Sequence, residues 1–303
     1  MKMKSILLTA FAASAFAVGS VQAGLLVSSG SGCRLYSDTG TVLQTYTSTA
    51  ANYQGNAVDL AGNVYFADFS FGIRKYNGTT GAFIGNTTDN TFFGAAWPLY
   101  GISSKGTGTP AGDLIASYTL GANAHFAFLN TSATNSATLS PAYGPTYEGL
   151  NWSSAAGAFY ATTPNGSGLM QYFNGAGGFV GQVAVGTAPK GVVRDDSNGM
   201  HYVADFGGSV YRWDGGTNPA TAFITGLTSA YGVTAVGNGD IWVSDFGTGD
   251  INRYNSAGAL QSSFNAGAGV TYITYSAIPE PTTWGLLALG LTAVVTLGRR
   301  RSA

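Results

Sequence analysis

The 303-residue chain has one cysteine, Cys33, and two histidines, His125 and His201. A lone cysteine excludes an internal disulfide and a thiolate metal cluster. An exposed thiol would be a liability in an oxidising compartment, so Cys33 reads as a small buried hydrophobe. Charge is scarce too, with Asp, Glu, Lys and Arg at 9% of residues. Between residues 24 and 278, eight basic residues stand against thirteen acidic ones, a net of −5. No basic patch is left to neutralise phosphates, which excludes nucleic acid as a partner. Nucleophile elbow, phosphate loop and zinc spacing are all missing, so neither a metal nor a cofactor is expected.

What is abundant is glycine, 45 residues of it, with aromatics at 13%. Glycine among Ser, Thr, Asn and aromatics favours many short strands and tight turns over helices. Internal repetition follows. GNVYFADFSFGIRKYN (62–77), NGMHYVADFGGSVYRWD (198–214) and NGDIWVSDFGTGDINRYN (238–255) align almost without gaps. Each reads as a strand ending in Ala/Ser-Asp-Phe, a Gly-rich turn, and a strand ending in an aromatic before Asn or Asp. Weaker copies start at Gly24, Gly112 and Gly157. Most copies are followed by a fourth strand such as VLQTY, AFIGN, TAFIT or LQSSF.

A short glycine-led strand precedes most copies, at Gly55, Gly101, Gly149, Gly191 and Gly232, with a sixth at Gly269. The spacings are 46, 48, 42, 41 and 37 residues. Four strands repeating at about 40 residues is the pattern of propeller blades. The first copy lacks its leading strand and the last leading strand lacks its copy. Pairing Val270–Tyr275 with Leu25–Ser29 completes a sixth blade and removes the open edges. The expected fold is therefore an all-β six-bladed β-propeller closed by its N- and C-terminal strands.

GNAVDLAGNVYFADF follows the pattern hydrophobic-x-Asp, Gly-Asn, hydrophobic-Tyr-hydrophobic-Ala-Asp. With it the body resembles the NHL and gluconolactonase-like six-bladed propellers, most closely in the blades beginning at Gly55, Gly191 and Gly232. The resemblance specifies a fold and leaves activity open, because this architecture hosts lactonases, lyases, scaffolds and ligand binders. Gluconolactonase-like enzymes hold a divalent cation in the channel with a Glu, Asn and Asp set. Streptogramin lyases use a matched His and Glu. Neither arrangement is reproduced where the repeat allows it to be placed, and His125 and His201 both fall in strands of the repeat. The reading leans towards a non-enzymatic binding or scaffold protein. A gluconolactonase-like hydrolase or streptogramin-lyase-like lyase at the channel mouth is the alternative.

Positions that recur in every blade have mostly structural readings. Asp68, Asp205 and Asp245 end a strand before a Gly-rich turn, where a carboxylate accepts backbone N–H bonds. Tyr36, Tyr76, Phe173, Trp213 and Tyr254, with Leu129 as the exception, should fill the space between blades; a stacking platform for sugar rings is the other option. Lys75, Arg212 and Arg253 alternate to the opposite, solvated face. The glycines that open inner strands allow close backbone approach at the axis. The residues before them, Gln54, Tyr100, Glu148, Lys190, Tyr231 and Ala268, should line one mouth of the channel. The first five are the candidate ligand-binding set; a water-filled channel, or Glu148 and Lys190 neutralising each other, are the competing readings.

Both ends carry addresses. Lys2 and Lys4, the apolar stretch Ile6 to Val18, and Val21-Gln22-Ala23 read as a signal peptide over 1–23. At the other end Thr282 to Gly298 is 17 uncharged residues, about 25 Å as a helix. Arg299, Arg300 and Arg301 behind it place the C-terminus in the cytoplasm. Pro279-Glu280-Pro281, the short span and the arginine cluster together resemble a PEP-CTERM sorting signal. The expected organisation is a signal peptide (1–23), a propeller (24–276) and a sorting signal (277–303) with a transmembrane helix over 282–298. The resemblance implies export, inner-membrane anchoring through the helix, and release to the cell surface or medium. It also implies an exosortase-type protease as partner, and a link to exopolysaccharide.

Overall fold

The computed structural model describes residues 23–277, apart from 31, 47–52, 60, 69–71, 89–98, 105–113, 121–122, 130–134, 140–145 and 165–167. The expected signal peptide, sorting motif and membrane span lie outside the described residues. Among those described there is no helix, and so none that could cross a membrane.

Twenty-four strands form six four-stranded antiparallel sheets. The first blade holds β1 (Ala23–Ser29), β2 (Gly32–Tyr36) and β3 (Val42–Tyr46). The second runs β4 (Tyr53–Val58), β5 (Asn63–Asp68), β6 (Gly72–Asn77) and β7 (Phe83–Thr88). The third runs β8 (Leu99–Ser104), β9 (Leu114–Leu120), β10 (Asn123–Leu129) and β11 (Asn135–Leu139). The fourth runs β12 (Leu150–Ser153), β13 (Ala158–Thr163), β14 (Leu169–Asn174) and β15 (Phe179–Ala184). The fifth runs β16 (Pro189–Arg194), β17 (His201–Asp205), β18 (Ser209–Trp213) and β19 (Thr221–Ile224). The sixth runs β20 (Ala230–Gly237), β21 (Asp240–Asp245), β22 (Asp250–Tyr254) and β23 (Leu260–Asn265). Finally β24 (Val270–Ala277) returns to the first blade as its inner strand, in the order β24-β1-β2-β3. Leu25 pairs with Tyr275, Val27 with Ile273 and Ser29 with Val270, which is the closure the half-units at the two ends require.

The hydrophobic core is divided among the six blade junctions. Leu26, Cys33 and Tyr46 pack on Val64, Phe66 and Tyr76 between the first two blades, for example. The bulky position at the end of the third strand supplies one side chain to each junction: Tyr76, Leu129, Phe173, Trp213, Tyr254 and Tyr36. Flat sheets packed radially leave a wedge between them, and a large side chain at one repeated position fills it. Cys33 is fully buried in its junction, and burial pushes its thiol up.

Turn chemistry follows the same repeat. Asn77, Asn174 and Asn255 each accept two backbone N–H groups through Oδ1, closing the turn to the outer strand. The expectation of a solvated face for the basic residues needs revising. Lys75 lies over Tyr65, Arg212 over Phe223 and Arg253 over Trp242, at 5.4, 4.6 and 5.9 Å from the ring centroids. Cross-strand pairing sets Lys75 against Tyr65 and Arg253 against Trp242, so their stems cover aromatic surface while their charges reach the rings.

Candidate functional site at the start of the inner strands

The inner strands approach each other through their glycines. A Cβ on Gly55 would sit 2.8 Å from the Tyr100 carbonyl oxygen. The same atom on Gly101 would meet the Glu148 carbonyl at 2.5 Å, on Gly149 the Lys190 carbonyl at 2.1 Å, and on Gly191 the Tyr231 carbonyl at 2.7 Å. Each glycine therefore seats against the carbonyl of the preceding-glycine residue in the next blade. On Gly232 a Cβ would meet the Thr271 carbonyl at 2.5 Å.

This last contact corrects the sixth position. Thr271 stands where Ala268 was expected, and Tyr272 stands where Gly269 was expected. Tyr272 lies 40 residues after Gly232, close to the other spacings, whereas Gly269 lies in the turn before β24. Matching glycine to glycine missed this, because the closing blade has no glycine at that place.

Hydroxyls pin the glycine-led strands together. Ser244 Oγ accepts the Gly232 N–H at 2.7 Å and donates to the Thr271 carbonyl at 2.5 Å. Thr162 does the same for the Gly149 N–H and the Lys190 carbonyl, and Ser117 for the Gly101 N–H and the Tyr147 carbonyl. The aspartates next to this position clamp the loops leading into the inner strands. Asp205 accepts the N–H groups of Thr187 and Ala188, and Asp245 those of Thr228 and Ser229. Asp68 pairs with Arg74 at 2.9 Å.

On this frame the side chains of Gln54, Glu148, Lys190 and Tyr231 meet. Lys190 Nζ lies 2.6 Å from Glu148 Oε2 and over the rings of Phe206 and Tyr231 at 5.7 and 5.6 Å. Tyr231 Oη donates to Gln54 Oε1 at 3.3 Å, across the inner strand of the closing blade. Burial raises the Tyr100 and Tyr231 hydroxyls above the usual phenol range, with the Glu148 charge adding to both, so both stay protonated. Glu148 and Lys190 cancel each other's charge, as one of the competing readings anticipated.

Two residues escaped the sequence reading. Phe206 and Phe246, the phenylalanines of the Asp-Phe repeat, project beside Tyr231 and are each 37% exposed. The three ring centroids lie 5.7–6.1 Å from one another. The signal was present in the repeated ADF and SDF. The clamped aspartate fixes the loop, and the next side chain is thereby aimed at the mouth. Phe69, the third of the set, lies outside the described residues.

Beyond the ring lies a cavity of about 520 Å³. It is lined by later inner-strand residues such as Asn56, Ile102, Val192 and Arg194 and by the turn residue Asp196, and by none of the five ring residues. His125 stacks on Tyr118 at 5.3 Å, and His201 packs on Tyr160 and Trp213. Burial lowers both imidazoles, that of His201 to about 4. Both belong to blade packing. Among the described residues no group of three His, Cys, Asp or Glu side chains could hold a metal ion.

Known proteins agree with this architecture. Residues 277–302 match the PEP-CTERM protein-sorting motif. A chain in the crystal structure of a nidogen/laminin complex superposes with a TM-score of 0.67 at 15% identity, covering 85% of this chain and 99% of that one. A Bacteroides caccae protein of unknown function gives 0.66 at 14% identity, covering 84% and 98%. The β-propeller domain of Myceliophteria thermophila Cps50 (Swd1) gives 0.56 at 10% identity, covering 83% and 86%. At these identities the likeness is one of fold. No curated protein sequence matches the chain. The protein is a six-bladed β-propeller with a PEP-CTERM tail. It is thus exported and surface-directed, anchored to the membrane before processing by an exosortase.

Proposed function

We propose that this is a surface or extracellular-matrix binding protein that engages the host's exopolysaccharide at the mouth ring. The observation that carries the reading is the aromatic cluster of Phe206, Tyr231 and Phe246 beside a neutralised ion pair. Partly exposed rings offer flat apolar faces to the C–H side of a sugar, while Glu148, Lys190 and Gln54 supply polar groups at the edge. Replacing both Phe206 and Phe246 by alanine should weaken binding of the host's purified extracellular polysaccharide by at least about tenfold, one ring being worth about 1 kcal/mol. Melting should move little, since both side chains are partly exposed. Calorimetry on the full-length chain in mild detergent checks this, and an unaltered affinity ends the reading.

The tail sets where this binding takes place. The uncharged span 282–298 holds the chain in the inner membrane, and the charges of Arg299 to Arg301 resist crossing. Full-length chain should sediment with membranes, and a chain ending at Ser276 should not. Glu280→Ala should accumulate in uncut form, seen as a larger band on immunoblots of the membrane fraction. Release of this variant at the normal rate would contradict recognition through Pro279-Glu280-Pro281.

A further inference from the structure

Among the described residues, the large apolar side chains left exposed fall at two opposite ends of the propeller. Phe206 and Phe246 stand at the mouth. The others begin outer strands: Val42 and Leu43 on β3, Phe83 and Ile84 on β7, Phe179 and Val180 on β15, and Leu260 on β23. Strand pairing puts these at the far end from the mouth. In the closing blade Tyr275 pairs with Leu25, Leu25 with Tyr36 and Tyr36 with Val42. One row thus joins the end of β24 to the start of β3, and the tail leaves two residues beyond it, after Ala277.

The outer strands of the sixth, first and second blades adjoin at this end. A Cβ on Gly40, in the turn before β3, would lie 2.6 Å from Phe264 of β23, and one on Gly81, in the turn before β7, 2.1 Å from Gln44 Nε2 of β3. Leu260, Val42, Leu43, Phe83 and Ile84 therefore form one apolar rim centred on the blade that carries the tail. Away from it, β11 opens with Asn135 and β19 with Thr221, and the β15 pair stands across the ring in the fourth blade. The turns leading into the rim, 37–41, 78–82 and 255–259, hold one charged residue, Asp38, and no Lys or Arg. From Ala277 to the uncharged span at Thr282 is five peptide units, at most about 17 Å of chain. The start of β3 lies three strand spacings from β24, about 14 Å. The tail thus holds this rim within reach of the membrane that anchors it. We propose that the rim is a lipid-docking surface, which rests in the headgroup layer while the chain is anchored and turns the mouth away from the membrane. Burial of its apolar side chains drives the contact, with no basic residue to select lipid charge. Little intrinsic affinity is needed, because a short tether supplies an effective concentration of about millimolar. A chain without its tail then leaves the membrane. The inference is independent of what the mouth binds.

Fluorescence quenching of the full-length chain in phosphatidylcholine vesicles that carry a headgroup nitroxide lipid tests it. Cys33 is fully buried, so a maleimide dye reports single introduced cysteines. Ala82→Cys and Ala259→Cys put the dye beside the rim, Ala176→Cys beside the β15 pair and Thr248→Cys on the mouth side, all at exposed turn positions. Dyes at residues 82 and 259 should be quenched strongly, and those at 176 and 248 should not. Adding Val42→Ser, Ile84→Ser and Leu260→Ser should abolish quenching at residue 82 and leave melting close to the parent, since these three side chains are 47–57% exposed. No quenching at residue 82 overturns the proposal, as does quenching at 176 or 248 equal to that at 82. Quenching that survives the triple substitution also overturns it, because the tether alone would then account for the proximity. A parent that dimerises in detergent through the same three side chains would assign the rim to a second copy of the chain and overturn the lipid contact.

Discussion

Deleting Gly269 to Ser276 is expected to abolish the cooperative folding of the ring. The deletion removes the inner strand of the closing blade, where Val270, Thr271, Tyr272 and Ile273 are buried. Loss of three large side chains from water-free sites costs about 5–9 kcal/mol at 1.5–3 kcal/mol each. That is comparable with the whole stability of a typical domain, about 5–15 kcal/mol. Hydrogen bonds go as well: the Thr271 carbonyl accepts Ser244 Oγ, the Tyr272 carbonyl accepts Asn56 Nδ2 at 2.9 Å, and Thr271 Oγ1 donates to the Ser28 carbonyl at 3.2 Å. The inner edge of β1 would be left unpaired, a site for association between chains. Thermal melting by circular dichroism and size-exclusion chromatography read the outcome. A monomeric variant melting cooperatively within about 5 °C of the parent would refute closure as a source of stability.

Gly149→Ala should be the most damaging single substitution at the axis. Its Cβ would lie 2.1 Å from the Lys190 carbonyl oxygen and 2.8 Å from Thr162 Oγ1. Both are fixed, because Thr162 already donates to that carbonyl while accepting the Gly149 N–H. The blades must separate to admit the methyl group, so the expected loss is about 3 kcal/mol, at the upper end of overpacking effects. For a domain of this size that corresponds to a fall of about 10 °C in Tm. Glu148 and Lys190 flank the strained contact, so polysaccharide binding should weaken in step. Gly30→Ala is the control: nothing lies within 4 Å of its added Cβ, and its melting should match the parent. If the two variants melt alike, close approach at the axis is not what holds these strands.

The repeat made the fold legible because every blade solves the same packing problem with the same residue types. A glycine enters the axis, an aromatic fills the wedge and an Asx residue closes the outer turn. Counting incomplete units at the two ends was enough to place β24 beside β1. The ring of Gln54, Tyr100, Glu148, Lys190 and Tyr231 could be read in the same way, since symmetry makes positions before equivalent glycines equivalent in space. What symmetry cannot reveal is its own exception. Tyr272 was hidden because the closing blade keeps the position and changes the residue. Phe206 and Phe246 were seen as a pattern, but their direction depends on loops clamped by Asp205 and Asp245 across distances of 16 to 18 residues.

By itself the sequence determined the six-bladed count, the closure by the terminal strands, the junction-filling aromatics and the sorting tail, because each is a local pattern repeated or confined to one segment. Only the tertiary structure decided which groups at the mouth meet. Glu148 and Lys190 are 42 residues apart and Gln54 and Tyr231 177 apart, yet they form an ion pair and a hydrogen bond. Such pairings depend on how far each blade turns about the axis and which side chains then lean inward. That is a property of the closed ring, and no single blade carries it.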